Sequence, residues 1–186
     1  MPLRALEFFC GIGGFATAVA ARELQVVGAL DQSPAALAVY RRNFPAHPAR
    51  EINLEHLQAA DLAAFGADFW WLSPPCQPYC ARGVFRDLDD PRAASLHRLL
   101  ELFAQLPEAR LPQLALENVA GFARSQARDR LVRLLAERGY TLRERLLCPT
   151  DLGVPMRRPR YYLTAARTAF SLAIPPAPGR RLLADY

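Results

Sequence analysis

Residues 5–23 read ALEFFCGIGGFATAVAARE, an apolar run that enters a helical sequence through glycines. Its first five residues predict a buried strand, and Phe15 to Glu23 predict a helix. Between them, Gly11, Gly13 and Gly14 allow a tight turn and let a ligand approach the backbone where the helix begins. This order is typical of an α/β sheet that binds a ligand at the carboxyl end of a strand.

The alternation of strands and helices continues along the chain. Apolar runs predict further strands at residues 26–30, 69–72 and 114–116, with a weaker one near 50–54. Helical spacing of apolar residues predicts helices at 35–43, 96–105 and 125–138. Two antiparallel edge strands are expected at 141–147 and 160–165. We therefore predict an α/β fold with a doubly wound, mostly parallel sheet and an antiparallel hairpin at its C-terminal edge.

The composition indicates one domain. Of the 186 residues, 52% are hydrophobic and 22% charged, which is too apolar for a disordered chain. The apolar runs stay below the roughly 18 residues that a membrane-spanning helix needs. Because Met1-Pro2-Leu3-Arg4 lead directly into the first predicted strand, we expect no signal peptide before the fold. We expect a cytoplasmic protein with no membrane partner. Residues 1–172 are predicted to form the domain, and the Pro/Gly-rich residues 173–186 a tail.

The charge permits a nucleic-acid partner without showing one. The formal net charge is +5, and all 23 basic residues are arginine. Arginine is suited to bidentate contacts with phosphates and base edges. A GC-rich coding sequence also produces a chain rich in Arg, Ala and Leu without Lys, so this composition has a second explanation.

The cysteines predict free thiols rather than a metal site. Cys10, Cys76, Cys80 and Cys148 form no C-x-x-C pair, and the three histidines stand at unrelated spacings, so no metal is expected. In a chain without a secretory signal an even number of cysteines does not indicate disulfides. One of the free thiols is a candidate nucleophile.

A carboxylate follows the second predicted strand. Asp31 ends that strand, where its two oxygens can accept both ribose hydroxyls of a nucleoside-containing cofactor. The pattern Gly11-x-Gly13-x-x-Ala16 also satisfies the dinucleotide fingerprint, with an acid at about the expected distance. These residues alone leave three interpretations open: a site for NAD(P), a site for S-adenosylmethionine, and a structural turn that binds no ligand.

The third strand leads into Ser73-Pro74-Pro75-Cys76-Gln77. Two prolines stiffen the chain and remove backbone donors, and they present Cys76 at the strand end on the same side as the glycines. A cysteine in this setting is predicted to be a nucleophile rather than a small core residue. Cys80 lacks this framing and is expected to be incidental. The polar stretch from Gln77 to Pro91 is too long for a simple connection and is predicted to be a functional loop.

Two further segments place charge near the strand ends. Glu117 follows a buried apolar strand, where burial raises the pKa of a carboxyl and lets it hold a proton near neutral pH. The alternative is a structural ion pair with an arginine. If the chain after Pro159 is extended, Arg158 and Arg160 share one face and form a wall for an anion or a base. Simple solvent exposure of the two arginines is the alternative.

Taken in order, these elements resemble the cytosine-C5 DNA methyltransferase family over about residues 3–167. The resemblance rests on Phe9-x-Gly11-x-Gly13-Gly14, Pro74-Pro75-Cys76-Gln77, Glu117-Asn118-Val119 and Arg158-x-Arg160. Residues 149–155 and the Leu-Pro before the Glu-Asn-Val strand look most like the branch of DNA methyltransferase homologues that methylate tRNA. The resemblance implies a Rossmann-like class I methyltransferase with S-adenosyl-L-methionine as its cofactor.

The resemblance also implies roles for individual residues. Cys76 would add to C6 of cytosine, Glu117 would hydrogen-bond N3, and the arginine pair would hold a base that has left its stack. The loop after Gln77 would close over that base. The implied catalytic residues are Cys76, Glu117, Arg158 and Arg160. The implied cofactor-binding residues are Phe9, Gly11, Ile12, Gly13, Gly14, Asp31, Asn53, Ser73 and Pro75. The implied substrate-binding residues are Pro75, Gln77, Asn118 and Val119.

Several positions depart from the family pattern. Asp31 replaces the usual Glu, Asn53 is the nearest match to the Asp at the adenine amine, and Met156 replaces a Gln. The target-recognition domain and the final helix of the family are not recognised, so a second polypeptide that supplies them is a candidate partner. DNA is the expected substrate and tRNA the alternative. A non-catalytic cofactor-binding subunit and an NAD(P) oxidoreductase are the competing functions.

Overall fold

A seven-stranded sheet forms the centre of the computed structural model, which describes residues 1–80 and 85–170. The predicted tail 173–186 and Gly83 of the predicted loop lie outside the described residues. The strands are β1 Leu3–Phe8, β2 Leu24–Asp31, β3 Ala49–Glu51, β4 Phe69–Leu72, β5 Gln113–Val119, β6 Thr141–Leu147 and β7 Arg160–Ala166. The helices are α1 Gly14–Val19, α2 Pro34–Asn43, α3 Ala59–Phe65, α4 Ala94–Gln105 and α5 Gln126–Glu137.

The strand order is β3-β2-β1-β4-β5-β7-β6. The first five strands pair in parallel, and β7 pairs antiparallel with both β5 and β6. The predicted doubly wound α/β fold is therefore confirmed. Of the two strands predicted to lie at the edge, β6 does so, whereas β7 sits between β5 and β6; β3 forms the opposite edge of the described sheet.

Three elements differ most from the prediction. Helix α1 ends at Val19 instead of Glu23, since Ala20 to Glu23 are mostly exposed and bury no apolar side chain. Strand β3 has three residues, and a short turn at Leu54–His56 replaces the rest of the predicted strand. Helix α3 was not predicted. It is a short, alanine-rich segment that begins at a capping box between Gln58 and Asp61.

Both faces of the sheet are covered. In β4, Trp70 and Leu72 belong to one buried cluster, whereas Phe69 and Trp71 pack against another on the opposite face. Successive side chains of a strand point to opposite faces, so a continuous apolar run is what a doubly covered strand requires. Phe15 of α1 stacks on Trp71 at 4.8 Å and fixes the helix that follows the glycines. Within residues 1–80 and 85–170, no helix is long and apolar enough to cross a membrane.

Strand β1 buries a carboxyl group beneath the glycine turn. The Glu7 side chain is 1% exposed, and its Oε2 accepts a hydrogen bond of 3.0 Å from the Tyr40 hydroxyl. That hydroxyl also lies 3.1 Å from Nδ1 of His47. Burial raises the pKa of Glu7 to about 7, although the Tyr40 hydrogen bond acts in the opposite direction and Asp31 adds to the rise. Between pH 4.5 and about pH 7, Glu7 is therefore protonated in the native state and ionised in the unfolded chain.

We expect Glu7→Gln to remove a pH dependence of stability. Because the folded pKa is raised, the wild-type chain loses about 3 kcal/mol of unfolding free energy relative to the variant between pH 4.5 and about pH 7. Above that range the difference between the two chains is constant. Urea unfolding at several pH values measures it. Tyr40→Phe should extend the range to higher pH, and parallel stability curves for wild type and Glu7→Gln would contradict the assignment.

Candidate active site

The carboxyl ends of β1, β2, β4 and β5 border one cavity of about 380 Å³. Segments from distant parts of the sequence meet there because parallel strands end at the same edge of the sheet. The residues that line it are Phe9, Asp31, Gln32, Ser73, Pro74, Pro75, Cys76, Gln77, Glu117, Asn118, Val119, Arg158 and Arg160. The predicted nucleophile, acid and arginine pair thus lie around one space.

The glycine turn follows β1 at one side of the cavity. Phe9 has a φ of 56°, an unusual value for a residue with a side chain, and Gly11 and Gly13 continue the turn with φ of 53° and 98°. A Cβ on Gly13 would come within 2.5 Å of the Phe44 ring, so this position requires glycine. Ile12 stands at the tip of the turn and is 61% exposed.

Asp31 fixes this turn from the neighbouring strand. Its Oδ2 accepts a hydrogen bond of 2.8 Å from the amide of Gly11, and its Oδ1 accepts one of 2.9 Å from Ser33. Each carboxylate oxygen keeps a second lone pair that can accept a ribose hydroxyl. A methyl group added to Gly11 or Gly14 would meet no described atom within 4 Å, which leaves the turn open to a ligand. The turn and carboxylate fit a nucleoside-containing cofactor.

Hydrogen bonds across strand ends hold the loop that carries Cys76. The Ser73 hydroxyl accepts a hydrogen bond of 2.8 Å from the Trp71 indole. The buried side-chain amide of Asn118 donates to the carbonyl oxygen of Pro74 at 3.1 Å. Cys76 then begins a 3₁₀ turn over Gln77–Tyr79. The loop is fixed at its start even though its two prolines donate no backbone hydrogen bond.

Glu117 and Arg160 form an ion pair inside the cavity. Arg160 lies opposite Val119 in the antiparallel register, on the same face as Glu117 and diagonal to it. Its Nε lies 3.1 Å from Oε1 of Glu117, and both side chains are partly buried. Burial raises the pKa of Glu117, while Arg160 and then Arg158 act to lower it. The carboxyl can therefore hold a proton next to two cations.

The chain before Arg158 is held by a thiol. The Cys148 sulfur accepts a hydrogen bond of 3.3 Å from the Arg158 amide, and it lies 3.6 Å from the carbonyl oxygen of Met156. Hydrogen bonds from Thr150 and Arg158 lower the pKa of Cys148. Cys148 and Met156 thus shape the segment that brings Arg158 to the cavity.

Asn53 lies apart from the other predicted residues. Its Oδ1 accepts a hydrogen bond of 3.0 Å from the Glu55 amide and begins the Leu54–His56 turn. It lines a separate depression of about 280 Å³ with Arg50 and Phe65. Over the described residues, no group of three His, Cys, Asp or Glu side chains is arranged to hold a metal ion.

Comparison with known proteins agrees with this geometry. A model of the C-5 cytosine-specific DNA methylase family matches residues 3–182. The chain belongs to this family. It is 38% identical to the tRNA (cytosine(38)-C(5))-methyltransferase of Bos taurus over 169 residues, which cover 88% of this chain and 42% of that protein. It is 32% identical to the DNA (cytosine-5)-methyltransferase of Dictyostelium discoideum over 170 residues, which cover 89% of this chain and 44% of that protein.

A solved structure of a relative has a similar fold. The crystal structure of the S. pombe Dnmt2 methyltransferase matches with a TM-score of 0.78 and 30% identity, covering 94% of this chain and 52% of that one. The predicted family resemblance, including its likeness to the tRNA-methylating branch, is therefore confirmed. This family member spans about half the length of the relatives it matches.

The predicted loop 77–91 is anchored at its far end. The buried Asp87 carboxylate accepts hydrogen bonds from the amides of Gln126 and Ala127, at 2.6 and 3.2 Å, and so caps helix α5. Asp90 binds Arg92 through two hydrogen bonds of 2.8 and 2.7 Å. Asp87 and Asp90 thus have structural partners, which the polar composition of the stretch did not reveal.

Sequence reasoning missed two contributors to the site. Gln32 lines the cavity next to Asp31. Gly121 lies against the loop of the nucleophile, where an added Cβ would come within 2.0 Å of the Tyr79 carbonyl oxygen.

We expect Gly121→Ala to displace the loop that carries Cys76. The added methyl group would clash with the Tyr79 carbonyl, so the loop must move. This movement should lower the unfolding free energy by about 1–3 kcal/mol and change the rate at which iodoacetamide alkylates Cys76. Gly14→Ala is the matched control, since its methyl group meets no described atom within 4 Å. It should change the unfolding free energy by less than about 0.5 kcal/mol. Equal effects of the two substitutions would contradict this packing role.

Proposed function

We propose that this chain is the catalytic part of an S-adenosylmethionine-dependent methyltransferase that acts on C5 of cytosine in nucleic acid. The observation that carries the proposal is the single cavity that Cys76, Glu117, Arg160 and Asp31 line together. A nucleophile, a proton-holding acid, a cation and a ribose acceptor are the groups that this reaction needs at one place.

Cys76 is the proposed nucleophile. Cytosine C5 is too weakly nucleophilic to take a methyl group directly, so the ring must first be activated. Addition of the Cys76 thiolate to C6 forms a C–S bond and gives C5 enamine character. Loss of the C5 proton after methylation then breaks the C–S bond and releases the thiolate. The rigid Pro74-Pro75 loop, tied to β5 through Asn118, keeps the sulfur in place for both steps.

Glu117 is the proposed acid at N3. Protonated Glu117 donates a hydrogen bond to N3 and limits the negative charge that thiolate addition places on the ring. Arg160 fixes the orientation of the carboxyl through its Nε contact at 3.1 Å. Arg158 and Arg160 also present donors to O2 of the base, in the manner of an oxyanion hole.

The glycine turn and Asp31 are the proposed cofactor site. The cofactor, when bound, supplies an electrophilic methyl group on a sulfonium. Phe9 would flank the adenine, and the Asp31 carboxylate would accept the ribose hydroxyls while it holds Gly11 and Ser33. We propose Gly11, Ile12, Gly13, Gly14, Ser73 and Pro75 as the remaining contacts. Asn53 keeps its proposed role at the adenine amine only if its turn shifts towards the cavity, since it lines another depression.

For the substrate we propose cytosine in tRNA, with DNA as the second candidate. The relative of higher identity is named for tRNA cytosine 38, and the match to the Dictyostelium DNA methyltransferase supports the second candidate. Pro75, Gln77, Asn118 and Val119 are the proposed substrate contacts around the nucleophile. We further propose that residues 1–172 form the catalytic domain and that recognition of the target involves a region beyond it, on this or on a second polypeptide.

A covalent trap tests the nucleophile and the substrate together. Fluorine at C5 blocks the proton loss that would release the thiolate, so a 5-fluorocytosine substrate should remain attached to Cys76. We expect a denaturation-resistant adduct with a 5-fluorocytosine tRNA transcript and S-adenosylmethionine, and a weaker or absent one with the corresponding DNA duplex. Cys76→Ala should form none. Cys148→Ser, which retains an acceptor for the Arg158 amide, should still form it.

Other results would contradict the proposal. An adduct in Cys76→Ala would exclude this cysteine as the nucleophile, and an adduct with DNA alone would reverse the choice of substrate. A wild-type chain that binds S-adenosylmethionine in calorimetry but forms no adduct, even with a partner polypeptide restored, would favour a non-catalytic subunit. Binding of a nicotinamide dinucleotide instead of S-adenosylmethionine would favour an oxidoreductase.

Glu117→Gln should slow adduct formation by about 100-fold or more, because glutamine keeps the shape but cannot hold a transferable proton. The wild-type rate should fall on the alkaline side as pH rises through the raised pKa of Glu117, and the variant should lack this decline. Rates of adduct formation across pH measure both effects. A variant with an unchanged rate and profile would leave Glu117 as an ion-pair partner only.

A further inference from the structure

An exposed arginine stacks on a phenylalanine beside the cavity. Arg124 ends a short 3₁₀ helix, Ala120–Arg124, which begins directly after β5 and its last residue Val119. Such a helix rises about 2 Å per residue, so Arg124 lies within about 10 Å of Val119, which lines the cavity. The guanidinium carbon of Arg124 is 5.6 Å from the centre of the Phe85 ring. Arg124 is exposed and Phe85 is partly buried, so a cation lies at the rim of the proposed active site.

Packing holds the Phe85 ring in place. The ring packs against the main hydrophobic cluster, and a Cβ added to Gly121 would lie 3.5 Å from it. Gly121 also faces the carbonyl of Tyr79, so the ring lies beside the turn that follows Cys76. The backbone of Phe85 has a φ of 45°, an unfavourable value that persists only where the surroundings fix it. Phe85 is therefore a firm support for the guanidinium above it.

A buried carboxylate joins the two segments that carry the pair. Asp87 stands two residues after Phe85, and it accepts hydrogen bonds from the amides of Gln126 and Ala127, two and three residues after Arg124. These hydrogen bonds fix the two segments relative to each other without involving the Phe85 ring or the guanidinium. A substitution of either side chain should therefore leave the backbone around the pair in place.

The charge of Arg124 is not used within the fold. Over residues 1–80 and 85–170, no carboxylate forms an ion pair with Arg124, and Asp129, the acidic residue nearest in sequence, pairs with Arg128 at 2.9 Å. The ion pairs of the described residues use other arginines, namely Arg92, Arg98, Arg128, Arg160 and Arg167. A guanidinium that stacks on a ring keeps the N–H donors along its edge, and these donors match the oxygens of a phosphate.

We propose that Phe85 orients Arg124 to bind a backbone phosphate of the nucleic acid next to the target cytosine. The proposal rests on the proposed function, which places a cytosine in the cavity beside Val119. Stacking on the ring restricts the guanidinium before the nucleic acid binds, so less side-chain entropy is lost on binding. Contacts with the backbone carry no sequence information, so Arg124 fixes the position of the strand and does not select the target.

The salt dependence of binding tests the phosphate contact. Fluorescence anisotropy measures binding of the intact chain to a labelled tRNA transcript over a series of KCl concentrations, without cofactor. Each phosphate contact contributes about 0.7–0.9 to the slope of log K against log salt concentration. Arg124→Gln should reduce the slope by about this amount and weaken binding about three- to tenfold. The same reduction is expected with a DNA duplex, because the contact is independent of sequence.

Arg22→Gln is the matched control for the loss of charge. Arg22 is exposed and precedes β2, at the edge of the sheet opposite to the cavity, so its variant should keep the wild-type slope. Phe85→Leu keeps the net charge but removes the ring, and it should weaken binding about two- to fivefold. Phe85→Tyr retains an aromatic ring and should bind as wild type does.

Three results would overturn the proposal. They are an unchanged slope in Arg124→Gln, an equal reduction of the slope in Arg22→Gln, and a wild-type chain that binds neither nucleic acid. Weaker binding of Phe85→Leu with an unchanged slope in Arg124→Gln would show that a base stacks on the ring instead. Because binding requires no methyl transfer, a reduced slope in Arg124→Gln with a failed covalent trap would keep the phosphate contact and reject the proposed catalysis. A successful trap with an unchanged slope would reject the phosphate contact alone.

Discussion

The hydrogen bond from the buried Asn118 amide to the Pro74 carbonyl joins the two halves of the site. Prolines 74 and 75 stiffen the loop but donate nothing to the neighbouring strand, so the loop needs an anchor from a side chain. Asn118 supplies it from the residue next to Glu117. A buried amide without a partner would cost about 1–3 kcal/mol, so this contact ties the start of the Cys76 loop to the strand that carries Glu117.

The electrostatics of the site depend on a balance between burial and two cations. Burial alone would make Glu117 a strong proton holder, and an ion pair alone would keep it ionised. Arg160 contacts Glu117 at 3.1 Å, and Arg158 lines the same cavity. Glu117 therefore keeps a raised pKa, and the cations remain able to stabilise negative charge on sulfur or on a base.

The sequence predicted what depends on local pattern. Apolar runs located the strands, and the glycine turn and the Pro-Pro-Cys segment located residues that the sheet brings to one cavity. It did not predict contacts between distant segments: Gly121 against Tyr79, or Asp87 capping helix α5. Such contacts leave no periodic signal, since each depends on the relative position of two elements.

The backbone of Phe9 shows how the fold maintains an unfavourable conformation at the site. A φ of 56° costs a residue with a side chain about 1–3 kcal/mol, and such strain persists only where the surroundings over-determine it. Here β1 is paired on both sides, and its last four residues are buried. Asp31 holds Gly11 two residues later, so the chain around Phe9 is fixed at both ends. Strand pairing and one carboxylate thus place an aromatic ring at the cavity, where a relaxed turn would direct it elsewhere.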